Sequence, residues 1–310
     1  MPSRAEIQQR VVEAKTTAQD FVRKEALKAL HEYSKNDVVL YATGFTSAKQ
    51  LSNIPQALFS VTVEDMQGFM SALHGLRGDS LDLILHSPGG SLDAADQLVQ
   101  YLRSKYSRIR ALVPQNAMSA ATMIACACDE IVMGKHSAIG PIDPQITVPT
   151  AHGLFTSPAQ CILDDFEAAK KDIASDRNLA ALWATRMRDY PPGILQICRN
   201  TLELAVTKVT SWLSSFMFQG DADAFDKASK IAKWLGNASE HKTHGRPIGI
   251  AAARQAGLKV SALEDEPALQ ERLLSVFHAT AVTFDVSHCV KMVENHQGRG
   301  WFTVVEPPRS

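Results

Sequence analysis

The chain has 310 residues, 45% of them hydrophobic and 21% charged, with 32 basic against 33 acidic side chains. That length suits one large domain or two small ones with a sizeable core. A net charge of −1 gives no reason to expect a nucleic-acid or anionic-membrane partner. No stretch reaches the roughly 18 consecutive apolar residues of a spanning helix. The start, "MPSRAEIQQR", lacks an apolar run of signal-peptide type. Five cysteines without framework spacing read as reduced thiols of a soluble, cytoplasmic protein. Cys126 and Cys128 have no second pair to complete a zinc site and read as buried thiols, so neither metal nor cofactor is expected.

Residues 4–33 read as one amphipathic helix. Ile7, Val11, Ala14, Ala18, Val22, Ala29 and Tyr33 recur at helical spacing. Its polar face mixes both charges, which suits packing on its own domain or on a neighbouring subunit rather than on a membrane surface. This helix is taken as residues 1–36, and 37–310 as the main domain.

From residue 37 the texture changes. "DVVLYATG" is a short apolar strand, and residues 63–76 read as a helix. "LDLILHS" is a second strand, followed by "PGG" and a helix over 91–105. "IRALVP" is a third strand, followed by a helix that starts at Ser119. "EIVMG" is a fourth, with the turn-rich "SAIGPIDP" as exit. Short apolar strands alternating with helices predict an α/β fold of parallel β-α-β units covered on both faces. Residues 157–235 are mainly helical, broken once at Pro191 and Pro192. A loop, a short helix capped by Gly257 and a strand follow. Two more elements close the chain, "GRGWFTVV" reading as the last strand.

In a parallel sheet, function collects at the carboxyl ends of the strands. Two such ends stand out. "HSPGGS" follows the second strand, and two glycines there allow a sharp turn that points amide N–H groups outward. "PQNAMSAA" follows the third strand and sets Ser119 at a helix start, where unpaired N–H groups favour a developing negative charge. If the two loops lie side by side, Gly90 and Ala120 N–H could stabilise the oxyanion of acyl transfer from Ser119. The alternatives are an ordinary turn at "PGG" and a helix N-cap at Ser119.

The run "LILHSPGGSLDAADQLVQYLRS…IRALVPQNAMSAATMIACACDEIVMGKHSAIGPIDPQI" resembles the core of the Clp protease/crotonase superfamily. Within it the run is similar to peptidases of the signal peptide peptidase A type, and most of all to the serine dehydrogenase proteinase family. The shared features are an S-P-G-G-like turn, an A-x-S-A-A-like context around the serine, a following acidic D-E-I run and a G-P-x-D-P-like exit. "THGRPIGIAAARQAGLKV" matches a later family segment more loosely. The resemblance implies stacked β-α-β units with a helical arm, a nucleophilic Ser119, a peptide or protein substrate and a homo-oligomer.

A serine hydroxyl needs a base. The Clp-type triad takes a histidine from the exit loop, where this chain reads "AIGPIDPQI". His136 comes too early and His152 somewhat late. The signal peptide peptidase A type uses a lysine on a helix beyond that loop, which here points to Lys170 or Lys171. Such a lysine acts as a base near neutral pH only when burial or a neighbour lowers its pKa. Ile162, Phe166, Ala169 and Ile173 share one helical stripe, widened by Leu163 and Ala174. Lys170 projects inside that arc, and Lys171 projects beside Glu167 and Asp164. Burial therefore favours Lys170. The expected function is a serine endopeptidase with a Ser119–Lys170 dyad. Its alternatives are a crotonase-like acyl-thioester enzyme, which needs no serine, and a non-catalytic oligomeric scaffold. If the lysines fail, His152 and the pair His241 and His244 are the next bases to test.

Overall fold

The computed structural model describes residues 18–47, 54–150 and 153–305. The first seventeen residues of the expected N-terminal helix, and His152, lie outside the described residues.

A seven-stranded sheet organises the fold. Its central strands are β1 (Asp37–Thr43), β2 (Ser80–His86), β3 (Arg108–Val113) and β5 (Glu130–Met133). They run parallel, and β9 (Val260–Ala262) extends them in the same sense. Two strands beyond the expected parallel set, β10 (Cys289–Asn295) and β11 (Gly300–Val304), add antiparallel to the free side of β1. The order is β11-β10-β1-β2-β3-β5-β9.

Side chains alternate across the strands and fill both faces. Val39, Tyr41, Leu81, Leu83, Leu85, Ala111 and Val113 enter the larger core. That core also takes Phe69 and Leu73 of helix α2 (Asp65–Leu73) and Leu98 and Leu102 of helix α3 (Leu92–Lys105). Helix α4 (Ala120–Cys126) is buried along its whole length in it. Val38, Leu40, Ala42, Ile84, Leu112 and Val132 face the other way. They meet Leu27 and Leu30 of α1 (Ala18–Ser34) and Leu273 and Val276 of α11 (Pro267–Val286).

The described part of the N-terminal helix thus packs on its own domain. Its buried seam runs through Val22, Arg23, Ala26, Leu27 and Leu30, while Tyr33 is exposed. Hydrophobicity alone hides Arg23, whose guanidinium is buried against the equally buried Glu294 carboxylate at 2.5 Å and bonds Thr283 at 2.8 Å.

Three features lead from the sheet to the arm. Two-residue strands β4 (Asn116–Ala117) and β6 (Ala138–Ile139) pair in parallel above the sheet's carboxyl edge. Next comes a hairpin the sequence patterns do not announce, β7 (Gln145–Thr150) with β8 (Gly153–Pro158). Helices α5 (Ala159–Ser175), α6 (Ala180–Met187), α7 (Ile194–Trp212) and α8 (Ala224–Leu235) follow. Val148, Ala159, Ile162, Ile194 and Cys198 form a small core of the arm's own. The far half of α7 and helix α8 join the larger core through Val209, Trp212, Ile231 and Leu235. Two short helices, α9 (Ala238–His241) and α10 (Ile250–Gln255), lead back to β9. Gly257 takes φ +101° just beyond α10, as a helix-ending glycine should. Among the described residues, no helix is long and apolar enough to cross a membrane.

Candidate active site

The loops after β2 and β3 are stitched together. Ser87 N–H donates to Asn116 O at 3.0 Å, and Met118 N–H donates to Ser87 O at 2.9 Å. This pairing lays Gly89 directly against Ser119. Gly89 has φ +96°, and a Cβ built on it would stand 2.5 Å from both Ser119 Cβ and Met118 O. Only glycine permits that approach.

On its other side the glycine loop rests on Val61. Val61 N–H donates to Gly89 O at 2.7 Å, and Ser91 N–H donates to Val61 O at 2.9 Å. The Gly89–Gly90 peptide is trans, so its N–H points opposite its C=O. The Gly90 N–H is therefore aimed away from Val61. Among the described residues neither Gly90 N–H nor Ala120 N–H has a protein acceptor.

A buried ion pair holds the Val61 segment. Lys291 Nζ lies 2.8 Å from Asp65 Oδ1 and donates to Ser60 O at 2.6 Å. Asp65 Oδ2 accepts from Tyr41 Oη at 2.7 Å and from Thr62 N–H at 2.9 Å.

Ser119 precedes α4 but does not cap it. Its backbone takes φ 51° and ψ −119°, and its hydroxyl makes no capping hydrogen bond. A serine is rarely held in this region, and the cost is of order 1–3 kcal/mol. The side chain, half-buried, opens into a cleft of about 500 Å³. Gly89, Gly90, Ser119 and Ala120 line its sheet side, and Thr156 of β8 and Thr201 of α7 its arm side. Thr122 fixes the turn below. Its hydroxyl donates to Ala117 O at 2.7 Å and accepts from Gly140 N–H at 2.9 Å.

Lys170 does not meet the burial expected of it. Its side chain is 66% exposed and sits 2.6 Å from Glu167 Oε1. It is not among the residues that line the cleft. The helical phase places it inside the apolar arc, but α5 buries only Ala159, Ile162 and Ala169, which leaves Lys170 at the edge of the covered seam. A seam that narrow lets a long side chain at its edge reach water and keep its charge. Lys171 is exposed as well.

The histidines fall in different surroundings. His136 is exposed. His241 is buried with Nε2 on Trp234 O at 2.8 Å. His86 ends β2, where burial pushes its imidazole down to about 3. It faces Thr46 and Phe277 on the opposite side of the sheet. His244 does line the Ser119 cleft. Sequence spacing could not select it, because 125 positions separate it from Ser119.

His31, Asp37 and His296 bring ligand-type atoms within 4.8 Å of one another at the amino edge of the sheet. His296 Nδ1, however, accepts from Val38 N–H at 3.2 Å, which leaves its proton on Nε2, facing Asp37. The rings of His31 and His296 stack at 3.8 Å. Hydrogen bonding and stacking account for the group without a metal. Cys126 and Cys128 are buried free thiols, and burial pushes Cys128 up to about 12.

The family model of ClpP-like SDH-type serine proteinases matches residues 11–187. The chain belongs to that family. Two relatives come from Methanocaldococcus jannaschii. The uncharacterized protein MJ0137 is 30% identical over 237 residues, 76% of this chain and 72% of its own length. The uncharacterized protein MJ1495 is 30% identical over 202 residues, 65% of this chain and 59% of its own length. Two solved structures are also similar, both of the membrane-bound stomatin-specific protease 1510-N. One is a serine-to-alanine variant, with TM-score 0.39 and 14% identity, covering 69% of this chain and 79% of its own. The other is a lysine-to-alanine variant with a substrate peptide, with TM-score 0.40 and 16% identity, covering 69% and 75%. The family is the one that the motifs around Ser119 resemble.

Proposed function

We propose that this member of the family is a peptidase in which Ser119 is the nucleophile and the N–H groups of Gly90 and Ala120 form the oxyanion hole. The observation that carries this reading is the contact of Gly89 with Ser119, which sets two unpaired N–H groups beside a hydroxyl free of capping duty. Donors fixed before reaction act where charge develops, and losing one costs about 10²–10³ in rate. The strained backbone at Ser119 supports the peptidase over a crotonase-like use of the fold, which would leave that strain without a purpose. The substrate is a peptide or protein, and the enzyme works as a cytoplasmic homo-oligomer.

The dyad with Lys170 loses its support here, since the lysine has neither the burial nor the position that a base near neutral pH requires. The nucleophile and the oxyanion hole do not depend on it.

The test is covalent labelling with a fluorophosphonate, followed by peptide mapping. Label on Ser119, absent from Ser119→Ala, is expected. A folded wild-type protein that takes up no label, and cleaves nothing in a broad peptide library, would remove the peptidase reading in favour of the crotonase or scaffold alternatives.

A further inference from the structure

The seven-stranded sheet ends on one side in β9, 3 residues long, and on the other in β11. An edge strand leaves half of its backbone groups unpaired, and proteins guard such edges with charged side chains, proline or bulges. β11 carries none of these. Residues 300–305 read Gly-Trp-Phe-Thr-Val-Val, and the irregular step of the ladder falls on β10, between Cys289 and Lys291. Two of its apolar side chains stand in water, Phe302 at 39% and Val304 at 58% exposure.

The ladder fixes where the free backbone groups point. Asn295 N–H donates to Arg299 O at 2.9 Å, and Val305 N–H donates to His288 O at 3.0 Å. Arg299 and Val305 therefore face β10. Trp301 and Thr303 between them do so too, because the bonding direction alternates along a strand. Gly300, Phe302 and Val304 aim their N–H and C=O groups away from the sheet. Among the described residues nothing takes these groups up. The side chains of the same three residues share the face that carries α1, where Arg23 lies 5.6 Å from the Phe302 ring. That ring leans over Gly300, 3.0 Å from where a Cβ would stand.

We propose that β11 joins two copies of this chain, pairing antiparallel with itself about a two-fold axis at Phe302; the inference rests on the reading of the protein as a homo-oligomer. The strand is its own complement. The axis sets Phe302 against the partner's Phe302, and Gly300 against the partner's Val304. Each of these residues then exchanges both of its free hydrogen bonds. Val304 meets the partner's Phe302 ring, which covers the glycine opposite. On the other face Trp301 stands against the partner's Thr303, so no charge is buried at any pair. The charges of α1 suit the same axis. Lys24 is exposed, and its Cδ stands 3.3 Å from where a Gly298 Cβ would be, at the start of β11. Asp20 lies at the other end, by Cys289, the partner of Val304 in the ladder. Burial, with the Asp20 and Glu294 carboxylates nearby, pushes the Cys289 thiol up to about 11. The two-fold turns the Asp20 end of one α1 toward the Lys24 end of the other. A second copy supplies that complement, and an unrelated extended peptide does not. The cleft stays open, since no residue of β11 lines it.

The experiment uses the full chain. Residues facing each other in a hydrogen-bonded antiparallel pair have Cα atoms about 5.5 Å apart, within reach of a disulfide. With the exposed Cys161 removed as Cys161→Ser, Phe302→Cys should cross-link to its own copy on mild oxidation. Val304→Cys should not, because it faces glycine. Val304→Pro deletes an outward N–H and spares the bonds to β10. Phe302→Lys sets like charges against each other at the axis. Each of these two should lower the sedimentation mass to about half that of the wild type, with circular dichroism unchanged. The cross-link keeps the test open if either variant unfolds. A folded Phe302→Cys that stays uncross-linked overturns the proposal, and so do folded mass variants that sediment as the wild type does. The homo-oligomer then stands on another surface. A wild type that sediments as one 33.8 kDa chain at micromolar concentration removes the homo-oligomer and this contact together. Fluorophosphonate labelling of Ser119 reports on the peptidase reading separately in every case.

Discussion

At the scale of single residues, the site depends on how closely two backbones approach. Gly89 is where the two loops touch, with φ +96° and Ser119 Cβ in the space its own Cβ would need. Gly89→Ala should therefore move Ser119 relative to the Gly90 and Ala120 donors. A displacement near 1 Å at a reacting centre costs about 10²-fold. Labelling of Ser119 should slow by that order while circular dichroism stays native, and an unimpaired Gly89→Ala would show that the loops tolerate separation. The tight turn at Gly89 and Gly90 and the helix start after Ser119 were legible in the sequence because each has a local signature. The position of Lys170 was not. Helical phase reports which way a side chain leaves the axis, but not how wide the covered stripe is. On α5 that stripe is three fully buried residues, too narrow to enclose a lysine at its rim. His244 was named in the sequence only behind the lysines, since the antiparallel bridge that brings it to Asp143 joins segments more than a hundred residues apart.

Among the elements, the parallel strands and their helices were readable from short apolar runs alternating with amphipathic ones. The β7–β8 hairpin was not, because Val148 is the single fully buried residue along its two strands, too little to make an apolar run. Strand β10 was hidden differently. All seven of its residues are buried, Lys291, Glu294 and Asn295 included. Charge in sequence suggests surface, whereas here each charged group has a buried partner. Lys291 links β10 to Asp65 of α2 and to Ser60 beside the cleft. Removing one member of such a pair strands the other, at a cost of about 3–5 kcal/mol. Lys291→Met should lower the urea midpoint accordingly and also slow labelling, since Val61 holds the glycine loop. A stability loss below 1 kcal/mol would mean that Asp65 finds other compensation. His86, at the end of β2, makes the fold sensitive to acid. Burial holds its pKa near 3, against 6.5 for a free imidazole. Below pH 6.5 the unfolded chain takes up a proton that the folded chain refuses, so stability present at pH 7 is lost as pH falls toward 3. The slope from this group reaches about 1.4 kcal/mol per pH unit. His86→Gln should flatten the dependence of the urea midpoint on pH between 6.5 and 4, and an unchanged slope would assign the acid sensitivity to other groups.

For the molecule as a whole, the cleft is a seam between two bodies of unequal strength. The sheet layer contributes Gly90 and Ser119 from a large continuous core, while the arm contributes Thr156 and Thr201 from elements around a small one. The arm also carries much of the exposed apolar surface. Leu154 is 79% exposed, Phe155 56%, Leu182 67%, Ile197 50% and Leu204 39%. Fully burying a side chain of this size stabilises by about 1.5–3 kcal/mol, and large patches left in water mark contact surfaces. The N-terminal helix, the other candidate for contact in the sequence, already spends Val22, Ala26, Leu27 and Leu30 inside its own domain. Self-association is therefore expected through the arm, which would brace the side of the cleft that the small core supports least. Ile197 and Leu204 stand seven residues apart, on one face of α7. The double variant Ile197→Asp and Leu204→Asp should shift the sedimentation mass toward one 33.8 kDa chain and slow Ser119 labelling without unfolding the sheet layer. A wild type that sediments as a single chain at micromolar concentration would contradict the assembly itself. A double variant that keeps the wild-type mass would move the contact away from this face of α7.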